Sequence, residues 1–194
     1  MVTTHRSCSD HYNQRVVGYK HTKADILEEA LRAATDDGLS QLTFGRLAKR
    51  LGISDRTVVY YFPSKDDLIG EVILAMGVQL QATLAEAFAT PAKDHLEIVA
   101  LTSQMLATDD VDPIFALFFE ANGLAVAGRE PYVSLVPSLV TMWIDWVAEF
   151  IDGGPDDRRA EAEAAIAVID GLLLVRQLAG ADAAERAAGR IGVT

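Results

Sequence analysis

The sequence has few of the features that would assign it to a specialised class of protein. Its 194 residues include a single cysteine, Cys8, so no intramolecular disulfide can form. The longest uncharged stretches, residues 72–85 and 131–144, have 14 residues each, fewer than the roughly 18 that cross a bilayer. No basic and then apolar leader precedes the first helical pattern. We therefore expect a soluble, cytoplasmic protein without membrane contact.

Common motifs of enzymes are missing as well. The chain contains no G-x-G-x-x-G, Walker A, H-E-x-x-H or G-x-S-x-G sequence. The acidic group of Asp109, Asp110 and Asp112 lacks the glycine and the distal Glu of a calcium loop. We expect a protein that is not an enzyme and that has no catalytic residue, metal site or cofactor.

Positive charge is scarce and unevenly distributed. The chain has 17 Lys and Arg against 28 Asp and Glu, a formal net charge of -11. Residues 1–70 nevertheless hold ten of the cations and nine of the acids, whereas residues 71–194 hold seven cations and nineteen acids. Because phosphate binding depends on Lys and Arg, contact with a nucleic acid is expected only in the first third. A chance fluctuation of charge in a short segment is the alternative.

Helical periodicity, in contrast, is present along most of the chain. Apolar residues recur every three or four positions, and the alternating runs typical of strands are missing. We predict an all-α fold in which residues 1–19 form a polar arm. Four helices are predicted between Thr22 and Gly38, Thr43 and Gly52, Ser54 and Pro63, and from Ser64 to about residue 90. Four more are predicted at about 94–108, 113–128, 132–152 and 157–180.

Residues 43–62 have the layout of a helix-turn-helix. Two short helices that cross steeply need a small residue where they touch, which Ala48 supplies, and a turn residue free of Cβ strain, which Gly52 supplies. Apolar side chains fill the corner at Leu47, Leu51, Ile53 and Val58. Since other three-helix corners share this pattern, a purely structural corner is the alternative.

The second of these helices and the start of the next carry side chains suited to DNA. Asp55, Arg56, Thr57 and Tyr60 are of the kind that reaches base edges in a major groove. Lys65 lies in the first turn of the fourth helix, where the helix dipole disfavours a cation. A DNA phosphate at that terminus would offset the mismatch. The alternative for Lys65 is an exposed cation tolerated beside two acids.

Thr43 to Leu68 resembles the DNA-binding signature of the TetR family of transcriptional regulators. The family pattern T-x-x-x-I/L-A-x-x-x-G-V/I-S-x-x-T-L-Y-x-Y/H-F-x-S/N-K-x-x-L reads here T-F-G-R-L-A-K-R-L-G-I-S-D-R-T-V-V-Y-Y-F-P-S-K-D-D-L. One departure is Val59, where the family has Tyr, so a DNA contact carried by that Tyr is expected to be absent or taken over by Tyr60. The resemblance implies a DNA-binding domain at residues 20–66.

The resemblance also implies roles for individual residues. Thr43 and Tyr61 would hold phosphates, Arg56, Thr57 and Tyr60 would lie in the groove, and Lys65 would bind the DNA backbone. The expected partner is double-stranded DNA with a palindromic operator. The full predicted set of DNA-binding residues is Thr43, Ser54, Asp55, Arg56, Thr57, Tyr60, Tyr61 and Lys65.

For residues 67–194 the resemblance implies a divergent helical domain that binds a small effector and forms a homodimer. Residues 164–175 are apolar on every side of the helix except at Asp170, which is more than one core face can use. The predicted helix at 132–152 is similarly apolar. We expect the helices at about 132–152 and 157–180 to form a two-fold dimer interface. A core within one chain is the alternative.

A ligand pocket is expected among the aromatic side chains of the same domain. The predicted ligand-binding residues are Met105, Phe115, Phe118, Phe119, Asn122, Met142, Trp143 and Trp146. The polar groups that could orient a ligand are Gln104, Glu120, Asn122 and Asp145. Acids in this region hint at a neutral or cationic apolar compound, and ordinary core packing is the alternative for each side chain.

These observations predict a ligand-responsive transcriptional regulator. It would be a repressor that binds its operator as a homodimer and is released when a small apolar effector shifts the fourth helix. A helical small-molecule-binding or protein-interaction module without DNA-binding activity is the alternative function. The sequence identifies neither the effector nor the operator.

Overall fold

The structure is a computed structural model of the chain. It describes residues 21–88, 90–106 and 112–193, the side chains of residues 104–106 excepted. The proposed arm at residues 1–19 and the acids Asp109 and Asp110 lie outside these ranges.

The described residues confirm the all-α prediction. A 3-10 turn, Leu39–Gln41, follows the first helix, and the only extended pairing within the described ranges is an isolated bridge between Ala92 and Ile151. We call α1–α3 the head and α4–α9 the body. The described ranges contain nine α-helices: α1 Lys23–Asp37, α2 Phe44–Leu51, α3 Asp55–Tyr61, α4 Lys65–Ala85, α5 His95–Leu106, α6 Asp112–Val126, α7 Tyr132–Ala148, α8 Pro155–Ala179 and α9 Ala181–Ile191.

Local signals set the start of every helix in the head and of α4. Thr22 and Ser64 form capping boxes with Asp25 and Asp67, as their spacing predicts. The side chains of Thr43 and Ser54 accept hydrogen bonds from backbone N–H groups three residues later and so begin α2 and α3.

Three expected boundaries in the body are wrong. The apolar pattern extends α4 to about residue 90, but the helix ends at Ala85, and Phe88 reaches the core through the turn that follows. The helix predicted to reach residue 152 ends at Ala148. The backbone of Ala92 forms hydrogen bonds with Phe150 and Asp152 and holds residues 150–152 in an extended bridge instead of a helix. No helix was expected after residue 180, yet α9 follows Gly180, whose φ of 90° separates it from α8.

Two clusters of buried side chains hold the described helices together. The first joins the head to α4, α6 and α7, since Ile26 and Leu47 of the head share it with Leu68, Leu117 and Tyr132. The second lies within the body, where α4 to α8 and the C-terminal Val193 meet. The boundary expected between residues 66 and 67 lies inside α4, and the first cluster crosses it.

By length and mean hydropathy α4 is the one described helix that could cross a membrane. Half of its apolar window is buried inside the bundle, however, because α4 contributes to both clusters. Burial of this kind is typical of the core helix of a helical bundle.

Candidate functional site

The corner between α2 and α3 is built as the sequence predicts. Leu47, Ala48 and Val58 are buried where the two helices meet. Gly52 adopts the left-handed conformation with φ 66°, and its N–H donates to carbonyls at the end of α2. The Ile53 N–H donates to the Ala48 carbonyl at 3.0 Å. These contacts fix how α3 is presented to solvent.

The exposed face of α3 carries Asp55, Arg56 and Tyr60, and the Tyr60 side chain is 79% exposed. Ser54 and Thr57 are committed to the helix start, because their hydroxyl oxygens lie 3.0 Å apart and Ser54 caps the helix. Of the predicted residues on α3, Arg56 and Tyr60 are therefore the long hydrogen-bonding side chains that remain free to meet a ligand.

The residues expected to hold phosphates have different surroundings. Thr43 and Lys65 are exposed and stand at the N-termini of α2 and α4, where backbone N–H groups favour an anion. Tyr61 is partly buried, its ring packs edge-on against Tyr60, and its hydroxyl donates to the His21 carbonyl at 3.2 Å. To bond a phosphate, Tyr61 would have to release that contact.

The ion pairs of the head determine which cations stay free. Arg50 is held by Glu29 at 2.6 Å and by Asp36 at 2.8 Å, and its hydrogen bond lowers the pKa of Glu29. Arg32 pairs with Glu28, and Lys23 pairs with Glu71. Within the described part of the head and the first turn of α4, the cations that make no ion pair are Arg46, Lys49, Arg56 and Lys65.

The body contains an apolar cavity of about 80 Å³ between α4, α5, α6, α7 and α8. Four of the residues predicted to bind a ligand line it together, namely Phe115, Phe118, Trp143 and Trp146. The two indoles are the only tryptophans of the chain and meet edge to face, with ring centroids 5.3 Å apart.

The structure places the other predicted ligand residues elsewhere. Phe119 packs into the second cluster without lining the cavity, and Asn122 does not line it either. Met142 is 38% exposed and borders an open groove on the outer side of α7. The side chains of Gln104 and Met105 lie outside the described residues.

Two acids considered as ligand-orienting groups have other roles. Asp145 is on the outside of α7 and pairs with Arg159. Glu120 joins the body to the head, because its carboxylate accepts hydrogen bonds from the N–H groups of Leu39 and Ser40 at 2.8 and 2.9 Å and from the Ser40 hydroxyl. Glu120 therefore connects α6, which lines the cavity, with the turn that precedes α2.

Asp170 is the residue that sequence reasoning missed as a cavity group. It lines the cavity from α8, and burial raises the pKa of its carboxyl to about 6. Its isolation within the apolar residues 164–175 was visible in the sequence, but that segment was interpreted as a dimer interface. A lone acid in an apolar helix is the signal that could have identified it.

The outer face of α8 is exposed and small or apolar. This face is formed by residues three or four positions apart, namely Ala167, Gly171, Leu174 and Leu178, and Leu178 is 80% exposed. On α7, in contrast, several apolar side chains pack within the chain: Val136 and Leu139 against the first cluster, Trp143 and Trp146 against the second. The side of α7 left for a partner is mixed, because it carries the exposed Val133 and Met142 as well as Ser138 and Thr141.

Residues 26–72 match the family model described as bacterial regulatory proteins, tetR family, which confirms the resemblance for this region. Solved structures similar to the whole chain include a TetR transcriptional regulator from Legionella pneumophila, with 19% identity, a TM-score of 0.63, and coverage of 88% of this chain and 95% of that chain. A Saccharomonospora viridis protein in complex with choline matches with 19% identity and a TM-score of 0.65 over 87% of this chain and 94% of its own.

A third structure, the multidrug binding protein EbrR complexed with proflavin, matches with 20% identity and a TM-score of 0.62 over 87% of this chain and 98% of its own. No curated protein matches the sequence. Together the structural matches show that the fold is that of TetR-family transcriptional regulators.

Proposed function

From a chain that has the TetR-regulator fold and a tetR-family N-terminal region, we propose a homodimeric transcriptional repressor that a small effector releases from a palindromic operator. The fold and the family of the N-terminal region indicate a DNA-binding regulator. To these we add repression, a dimer, an operator and an effector.

The observation that carries DNA binding is the placement of free positive charge. In a protein of net charge -11, the described cations of the head and of the first turn of α4 that make no ion pair lie on α2, α3 and α4, the helices of the predicted DNA-binding segment, where Tyr60 is also exposed. Affinity for DNA comes mainly from such cations, and a helix that presents Arg56 and Tyr60 to solvent can enter a major groove. The paired acids elsewhere in the head leave these side chains unneutralised.

The exposed apolar face of α8 supports the dimer. Leu174 and Leu178 together with Ala167 and Gly171 form a surface that a second copy would cover. In a two-fold dimer the same patch serves both subunits, and the two recognition helices would bind half-sites about 34–36 Å apart, one turn of DNA.

Effector release is supported by the elements that line the cavity. Met76, Gly77 and Leu80 of α4 face it, and the same helix begins at Lys65. An effector there would change the position of α4 only to the extent that it binds one state more tightly than the other. The choline and proflavin complexes of similar fold support a ligand site in this body.

Selection of bound duplexes from a random pool, followed by fluorescence anisotropy, tests DNA binding. We expect one two-fold symmetric site whose affinity falls steeply as salt rises. Arg56→Ala should lose about 1–3 kcal/mol on that site if Arg56 bonds a guanine, while Lys65→Ala should weaken all sequences alike and reduce the salt slope by about 1.

Lys93→Ala is the matched control, since Lys93 is an exposed cation of the body. Equal effects of the three substitutions would contradict the assignment of the DNA face. A protein that selects no duplex but still binds small molecules would instead be the alternative, a ligand-binding module without DNA-binding activity.

A further inference from the structure

The described lining of the body cavity contains a single ionisable side chain. Asp170 projects from α8 among aliphatic and aromatic residues that α4, α5, α6 and α7 contribute. The hydroxyl group of the described lining, that of Thr102, donates to the carbonyls of Ile98 and Val99 within its own helix, so its proton is already used.

The carboxylate of Asp170 has no partner among the described residues. None of them donates a hydrogen bond to it or forms an ion pair with it, and burial is the cause of its raised pKa of about 6. At neutral pH the group is therefore largely ionised, and an anion that is partly buried without a partner is costly. The ionisable side chains of the helices packed against α8 lie outside the described lining; they are His95, Glu97, Asp112, Glu120, Tyr132, Asp145, Asp182, Glu185, Arg186 and Arg190.

The aromatic side chains of the cavity also favour a positively charged ligand. Phe115, Phe118, Trp143 and Trp146 line the cavity with Asp170. The faces of such rings attract cations, most strongly those of Trp, and the attraction grows when water is excluded. With Phe88, which also lines the cavity, a carboxylate and five aromatic rings around a small apolar space form a site for an organic ammonium group.

We propose that the cavity binds a lipophilic organic cation, a quaternary or protonated amine with a compact apolar body, and that Asp170 is its counter-ion. The proposal rests on the proposed function in one respect, that the cavity is the effector site. It goes further by assigning the charge of the ligand and the residue that selects it. A neutral molecule of the same shape would leave the carboxylate unpaired and would remove it further from water.

Phenyltrimethylammonium and tert-butylbenzene provide the test, because they have the same shape and differ in charge. Binding to the full-length protein is measured by tryptophan fluorescence, which reports on this cavity since Trp143 and Trp146 both line it, and by calorimetry. We expect the ratio of the cation's affinity to the neutral ligand's affinity to fall at least tenfold in Asp170→Asn, because the cation binds more weakly while the neutral ligand binds at least as tightly as before.

Glu149→Gln is the control, since Glu149 is an exposed acid in the groove on the outer side of Trp146 and its removal changes the net charge equally. It should leave the ratio within about twofold, because an exposed charge is screened. In the wild-type protein the cation's affinity should also fall as the pH drops below about 6, while that of tert-butylbenzene should not fall and should rise if the ligand removes the carboxylate from water.

Three results would overturn the inference: no binding of the cation to the wild-type protein, equal effects of the two substitutions, or a pH dependence shared by both ligands. The measurement contains no DNA, so its failure is separate from failure of the proposed repressor. A protein that binds an operator and is released only by neutral compounds would contradict the cation site and leave the regulatory function standing.

Discussion

In the head, the side chains that we assign to DNA stand on the surface of α3 and at two helix starts, whereas in the body the side chains assigned to the effector are turned inward. Arg56 and Tyr60 are exposed, and the cations near them make no ion pair in the described part of the head. Trp143, Trp146 and Asp170 surround a cavity. One region presents positive charge to a large polyanion, and the other encloses a negative charge.

The difference shows how an acidic protein can bind DNA. The acids Glu29 and Asp36 pair with Arg50, whereas Arg56 and Lys65 make no ion pair among the described residues although Asp55 and Asp66 adjoin them in the sequence. Most of the other acids lie in residues 71–194. Net charge therefore describes solubility, while the pairing pattern determines where phosphate can bind.

The largest effect that we predict tests whether head and body are separate. Leu47→Ala removes a fully buried side chain from the first cluster and should lower the free energy of unfolding by about 2–5 kcal/mol. Because that cluster continues into α4 and α6, we expect circular dichroism and tryptophan fluorescence, which reports only on the body, to lose their signals together in urea.

Leu173→Ala, in the second cluster, is the companion variant. Its circular dichroism and tryptophan fluorescence should also be lost together in urea. If Leu47→Ala instead produces an early loss of helix with unchanged tryptophan fluorescence, the head unfolds on its own and the shared core does not couple the two regions.

The same contrast explains what sequence reasoning could reach. In the head each boundary depends on residues three or four apart, such as Ser54 with Thr57 or Thr22 with Asp25, so the motif and its exposed face follow from the sequence. In the body α7 and α8 begin without a side-chain cap. The end of α7 depends on Ala92, more than fifty residues away, and no local pattern contains that contact.

The candidate site divides in the same way. Four of the eight predicted ligand residues line the cavity, because aromatic side chains in an apolar helix face some interior space. Which space they face depends on how five helices pack, and this decides that Met142 points outward while Asp170 points inward. The role of Glu120 in bonding the head is equally a property of packing, since its partners lie about eighty residues earlier.

The second prediction concerns the cost of the buried acid in the body. The folded pKa of Asp170, about 6, lies above the ordinary value, so wild-type stability should fall as the pH rises from about 4 to about 6. Asp170→Asn lacks this loss and should be more stable by about 1–3 kcal/mol near pH 7.5, with the difference shrinking toward pH 4. Urea denaturation without ligand at both pH values measures it. If the variant and the wild type differ in stability by the same amount at both pH values, the carboxylate is already solvated or paired in the folded protein.

A smaller effect is expected at the junction of the two regions. Glu120→Gln replaces a charged acceptor of the Leu39 and Ser40 N–H groups by a neutral one and should cost about 1–2 kcal/mol. Glu120 also helps burial to raise the pKa of Tyr132 to about 12, so the variant should titrate Tyr132 at lower pH. Spectroscopic titration of the phenol checks this second readout.

Glu71→Gln is the matched comparison, because Glu71 also joins the body to the head but through an exposed pair with Lys23. Such a pair contributes little, about 0–1 kcal/mol, and its loss should leave the Tyr132 titration unchanged. Indistinguishable behaviour of the two variants would show that the hydrogen-bonded contact to the turn before α2 has no special part in joining the regions.

The smallest effect is expected where α3 departs from the family pattern. Val59 is 41% exposed, so Val59→Tyr should change the free energy of unfolding by less than about 0.5 kcal/mol. A tyrosine hydroxyl there could bond a phosphate and raise affinity for the selected operator by about 0.5–1 kcal/mol. The hydroxyl is neutral and releases no counterion, so the salt slope should stay that of the wild type. Val59→Phe provides the same ring without the hydroxyl, and if it raises affinity equally, the gain comes from apolar contact with the groove and Val59 is not a vacant phosphate position.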